Sequence, residues 1–76
     1  MELDIKILKN GTPVGGVTGI IASGPGSWPE IAAVSNEAGI LSFDVDVKGT
    51  YQVQLFTEDH SDLLAVETGK TVIFEL

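Results

Sequence analysis

The chain has 76 residues, no cysteine, four Lys+Arg and eleven Asp+Glu, for a formal net charge of −7 at pH 7. That length allows one domain, 1–76, and a domain so small buries only about 60% of the surface its unfolded chain exposes. Disulfides and Cys-based zinc or redox chemistry are excluded. The negative balance argues against nucleic acid and anionic membrane surfaces, both of which are bound through Lys and Arg.

Taken in chain order, the apolar residues repeat with period two, the signature of half-buried strands. Leu3, Ile5 and Ile7 alternate with Glu2, Asp4 and Lys6. Asn10-Gly11 then marks a tight turn, because both residues tolerate positive φ. Pro13 lacks an N–H and belongs at a strand end or edge. Weaker strands fit residues 17–23 and 31–35, with a bulge expected near Gly16 and Gly19. Between them the Gly/Pro-rich run Ser23-Gly24-Pro25-Gly26-Ser27-Trp28-Pro29 is a loop by composition. Asn36-Glu37-Ala38-Gly39 makes the next turn, and Leu41, Phe43 and Val45 form the next strand. Lys48-Gly49 turns into Tyr51, Val53 and Leu55. Residues 57–62 read as a polar loop, 63–67 as a strand, and Thr68-Gly69-Lys70 as a turn into Val72, Phe74 and Leu76. No helix of useful length is expected.

Seven short strands at close spacing predict an all-β, antiparallel sandwich whose two sheets share one core. The expected core is Leu3, Ile5, Ile7, Val17, Ile21, Leu41, Phe43, Val45, Tyr51, Val53, Leu55, Val72 and Phe74. No apolar run is long enough to span a bilayer, so membrane insertion is not expected. The acidic start Met1-Glu2-Leu3-Asp4 lacks the basic region and apolar run of a secretory signal. This assigns the cytosol by default, or an exported location if the chain is a module of a larger protein.

The turn residues carry a resemblance. Gly11-Thr12-Pro13-Val14-Gly15-Gly16-Val17-Thr18-Gly19-Ile20 resembles the G-x-P-V-x-G-A-x-V run of carboxypeptidase regulatory-like domains. Asn36-Glu37-Ala38-Gly39-Ile40-Leu41-Ser42-Phe43-Asp44-Val45 resembles their D-x-x-G-x-F-x-F-x-V run, and Lys48-Gly49-Thr50-Tyr51-Gln52-Val53 their P-G-x-Y-x-V corner, with Lys48 in place of the proline. The resemblance implies a seven-stranded, transthyretin- or prealbumin-like sandwich. It also implies a non-catalytic accessory module that works by protein contact, by self-association or as a spacer, with no cofactor. A related fold that hydrolyses 5-hydroxyisourate relies on His and Arg residues. This chain has no arginine and a single His, so that activity is not expected.

Among candidate chemistries, His60 sits between Asp59 and Asp62, a trio whose imidazole and carboxylates suit a divalent metal. The alternative for His60 is plain solvation. Asp44 and Asp46 share one outward strand face, which reads either as part of a weak calcium site with Asp59, Asp62 or Glu58 or, in preference, as charge that resists edge-to-edge aggregation. Ser61 beside His60 does not make a triad, since no third group or oxyanion device accompanies it. The Gly-rich stretches lack the Lys-Ser/Thr and helix of a phosphate loop. Trp28 has two readings. With Pro25, Pro29 and Tyr51 it is an anchor for a partner, a carbohydrate or a small ligand. Alternatively, it folds back and caps the core.

Overall fold

The structure, a computed structural model, describes residues 1–28 and 30–76. Two four-stranded sheets stack face to face. Among the described residues, eight strands run in chain order: β1 (Glu2–Lys9), β2 (Thr12–Pro13), β3 (Thr18–Ser23), β4 (Ala33–Val34), β5 (Ile40–Asp44), β6 (Thr50–Phe56), β7 (Ser61–Glu67) and β8 (Thr71–Glu75). Sheet A is built on β1, which pairs with β2, β5 and β8; sheet B runs β4-β3-β6-β7. Among the described residues, no helix is long and apolar enough to cross a membrane.

Alternation dictates this layering. Leu3, Ile5 and Ile7 of β1 and Tyr51, Val53 and Leu55 of β6 are all fully buried, and the residues between them are not. These two strands are the centres of their sheets, so their inward residues meet across the interior. Leu41, Phe43 and Val45 from the β5 segment complete the core with Val17, Ile21 and Val66. Fully burying an aliphatic or aromatic side chain is worth about 1.5–3 kcal/mol, so this set dominates the stability of a chain without cross-links.

Turn chemistry fixes the register. Asn10 (φ 52°) and Gly11 (φ 78°) both take the left-handed conformation that folds β2 back on β1. Asn36 Oδ1 accepts the Ala38 N–H (2.9 Å) and the Ile40 N–H (3.0 Å). Gly39, at φ 77°, lies between them; a Cβ there would lie 2.5 Å from the Ile7 carbonyl oxygen.

Four expectations change. The strands number eight, because the hairpin at Asn10-Gly11 adds the two-residue β2, and the expected 31–35 strand shortens to β4. Sheet A is mixed, because β8 runs parallel to β1. The Gly69 N–H donates to the Glu2 carbonyl (3.1 Å), so β8 starts beside the start of β1 and must run with it. The bulge falls between Ile21 and Ser23 rather than near Gly16 and Gly19. Gly19 pairs regularly because its lack of a side chain is what packing needs: a Cβ would sit 3.0 Å from both Leu41 and Leu55 methyls. The core also shifts at its margin. Val72 and Phe74 are only half-buried, since β8 is an edge of sheet A, and Val66 is fully buried instead.

Among the described residues, the polar side chains of Ser35 and Thr68 are buried, and both are hydrogen-bonded. Ser35 Oγ accepts the Val17 N–H (2.9 Å) and donates to the Val14 carbonyl (2.9 Å). Thr68 Oγ1 accepts the Gly49 N–H (3.1 Å), tying the β7–β8 turn to the β5–β6 connection. Satisfied in this way, each contributes instead of costing desolvation energy.

Candidate functional site

The loop after β3 carries Trp28, and its path is set by a glycine. Gly24 passes directly over the ring of Tyr51, where a Cβ would stand 2.2 Å from Cδ2. That close pass lets the chain continue to Trp28, whose ring meets Tyr51 edge-on, with centroids 6.1 Å apart and planes at 87°. Edge-to-face pairs of this kind are worth about 0.5–1.5 kcal/mol beyond area burial. Tyr51 is 0% exposed, and its hydroxyl donates to the Val47 carbonyl at 2.6 Å. It supports Trp28 from behind and touches no solvent, so its expected role as a direct contact residue is corrected to a positioning one. Trp28 itself is half-buried: it caps the core and also keeps part of its ring outside. Pro25 is half-buried in the same loop, and Pro29 lies outside the described residues.

The part of Trp28 left outside lines a cavity of about 270 Å³, together with Ile20, Ile21, Ala22, Glu30 and Ile31. Glu30 is the one ionisable residue in its lining. Ile31 is 70% exposed at the margin.

This cavity opens beside the outer face of sheet B, which sequence reasoning did not single out. Register places Val34, Thr18, Phe56 and Ser61 in one outward row, and Ile20, Gln54 and Leu63 in the next, followed by Gln52 opposite Ala65. Leu63 and Val34 are 60% and 58% exposed. Apart from Glu67 at its end, the outward side of these strands carries no charge. Sheet A differs in charge, although Ile40 and Ile73 also face outward there. Its outward residues include Glu2, Asp4, Lys6, Asp44 and Glu75, with the Ser42 hydroxyl donating to Asp4 Oδ1. The signal for the sheet B face was present in sequence at two positions: Ile20 and Phe56 point outward in strands whose inward positions are already filled by glycine and apolar residues. Reading it required knowing which strands share a sheet.

The metal trio is only partly assembled. His60 Nδ1 lies 2.9 Å from Asp62 Oδ2, though that oxygen has no partner with hydrogen-bond geometry. The expected 57–62 loop is shorter than its composition suggests. The Thr57 N–H and Oγ1 both donate to the His60 carbonyl (2.9 Å each), which closes a tight turn, and β7 begins at Ser61. Asp62 is therefore a strand residue facing inward opposite Leu55, and Asp59 stays exposed at the turn. Among the described residues, no three His, Cys, Asp or Glu side chains are grouped so as to hold a metal ion. Asp59 and His60 instead line an open cleft of about 700 Å³ at the end of the sandwich, with Lys9, Val14, Phe56 and Leu76.

Comparison of the chain with protein-family models found no match, and comparison with curated proteins found none either.

Proposed function

We propose that this protein is a non-catalytic β-sandwich module that acts by protein contact through the outer face of sheet B. In its finer form the reading includes membership of the carboxypeptidase regulatory-like group, with a transthyretin-like arrangement of seven principal strands. The turn residues Gly11, Pro13, Gly39 and Gly49 and the Tyr51 corner support that assignment.

The observation that carries the functional reading is the uncharged, partly apolar face of sheet B in a chain of net charge −7. Solvated sheet faces ordinarily carry charge, and a face that carries none and leaves Val34, Phe56 and Leu63 exposed is suited to contact. Site-specific photo-crosslinking tests it. A benzophenone side chain at Leu63 is expected to give protein adducts in lysate of the source cells, and one at Asp4, on the outer face of sheet A, far fewer. Equal yields at the two positions would refute the assignment.

A second reading, a carbohydrate- or small-ligand-binding module, is favoured by one observation, the Trp28 cavity. Its lining offers a sugar only the Glu30 carboxyl and the Trp28 indole as hydrogen-bonding side chains, whereas sugars are held by several hydrogen bonds. A glycan array that is blank at millimolar ligand removes this reading.

A further inference from the structure

Charge on this molecule is divided between the two sheets. The four lysines are Lys6 and Lys9 on β1, Lys48 in the β5–β6 connection and Lys70 in the β7–β8 turn. None lies on a strand of sheet B. The uncharged, partly apolar face of sheet B is instead bordered by carboxylates: Glu30 at the Trp28 cavity, Glu58 and Asp59 at the β6–β7 turn, and Glu67 at the end of β7. Glu67 is met by Lys70 at 3.3 Å, Glu58 and Asp59 share their cleft with Lys9, and Glu30 is in no ion pair among the described residues.

A partner that covers this face must desolvate uncharged side chains, the apolar Ile20, Val34, Phe56 and Leu63 among them, and meet negative charge around the edge. A second copy of the chain fits poorly. Face-to-face pairing would bring two acidic borders together, and a four-stranded face of this size has a footprint of roughly 400 Å², about half of what each side of a standard interface buries. A basic segment fits both parts. At the cavity, the aromatic wall of Trp28 and the carboxylate of Glu30 are the two groups that attract a cation with an alkyl stem: the stem lies along Ile20 and Ile31, and the charge lies between ring and carboxylate.

Deepening the contact reading above, we infer that the occupant of this face is a basic protein segment, one of whose Lys or Arg side chains enters the cavity formed by Trp28, Ile20, Ile31 and Glu30. The overall charge of −7 then steers such a partner toward the protein.

Trp28 is the only tryptophan, so its emission reports on the cavity directly. The probe is the peptide acetyl-Gly-Lys-Gly-Lys-Gly-amide, with a norleucine version as its uncharged counterpart and N-acetyl-lysine methylamide as the isolated side chain. The lysine peptide is expected to change Trp28 emission saturably and to shift the amide resonances of Ile20, Glu30 and Ile31. Binding should weaken in 0.5 M salt, and Glu30→Gln should weaken it roughly three- to fivefold, the scale of one exposed charge contact. Glu30 is exposed, so that variant keeps the fold. Four results overturn the inference. They are no emission change at millimolar peptide, equal response to the norleucine peptide, Glu30→Gln binding like wild type, and the isolated lysine derivative binding as tightly as the peptide. Dimerisation through this face in sedimentation, abolished by Leu63→Lys, would likewise overturn it in favour of a second copy. The contact reading stands or falls separately, on the crosslinks at Leu63.

Discussion

Gly24→Ala tests how the Trp28 site is built. The new methyl would stand 2.2 Å from Tyr51 Cδ2 and 2.7 Å from both Cε2 and Cγ. Carbon atoms sit comfortably at about 3.5–4.0 Å, so the ring or the chain must move by more than an ångström. The ring has nowhere to go: Tyr51 is fully buried and its hydroxyl is held by the Val47 carbonyl. Overpacking a rigid core costs about 1–3 kcal/mol, and loss of the tyrosine hydrogen bond adds about 0.5–1.5 kcal/mol. A total of about 2–4 kcal/mol, over 76 residues with an unfolding entropy of roughly 2.1 cal/mol/K each, lowers Tm by about 12–25 °C. Because the strain falls where Trp28 meets Tyr51, native Trp28 emission should also shift to the red and become easier to quench. Thermal melts followed by circular dichroism, with acrylamide quenching of Trp28, make the measurement. A variant with wild-type Tm and quenching would show that the loop does not pass over Tyr51 as described.

Ser35→Ala removes the acceptor of the Val17 N–H and the donor to the Val14 carbonyl; urea unfolding should show a loss of about 1–3 kcal/mol, the scale of an orphaned buried group. Tyr51→Phe keeps the ring and loses only the 2.6 Å bond to Val47, so it should cost about 0.5–1.5 kcal/mol and leave the Trp28 emission maximum in place. Gly39→Ala and Gly11→Ala form a matched pair, as both glycines have φ near 78° but only Gly39 faces a backbone oxygen at 2.5 Å. Gly11→Ala should cost about 1–2 kcal/mol for the left-handed backbone alone, and chemical denaturation of Gly39→Ala should show a clearly larger loss.

Local chemistry was enough to read the strands, their inward faces and their turns. Alternation marks Leu3, Ile5 and Ile7 as a buried triplet wherever β1 is placed, because side chains on a strand point to opposite sides. Asn10-Gly11 prescribes its turn because the needed φ angles are affordable only to such residues. The residues of the candidate site divide differently. Trp28 stood out by composition, but its half-buried state depends on Gly24 crossing Tyr51, a contact 27 positions apart in the chain that no local pattern encodes. The parallel pairing of β8 with β1, the burial of Val66 in preference to Val72, and the uncharged face made by Ile20, Phe56 and Leu63 all depend on which strands become neighbours. That is decided by closing two sheets over one core. Sequence periodicity says which side of each strand is apolar, whereas only the assembled sheets say which apolar residues are left over on the outside.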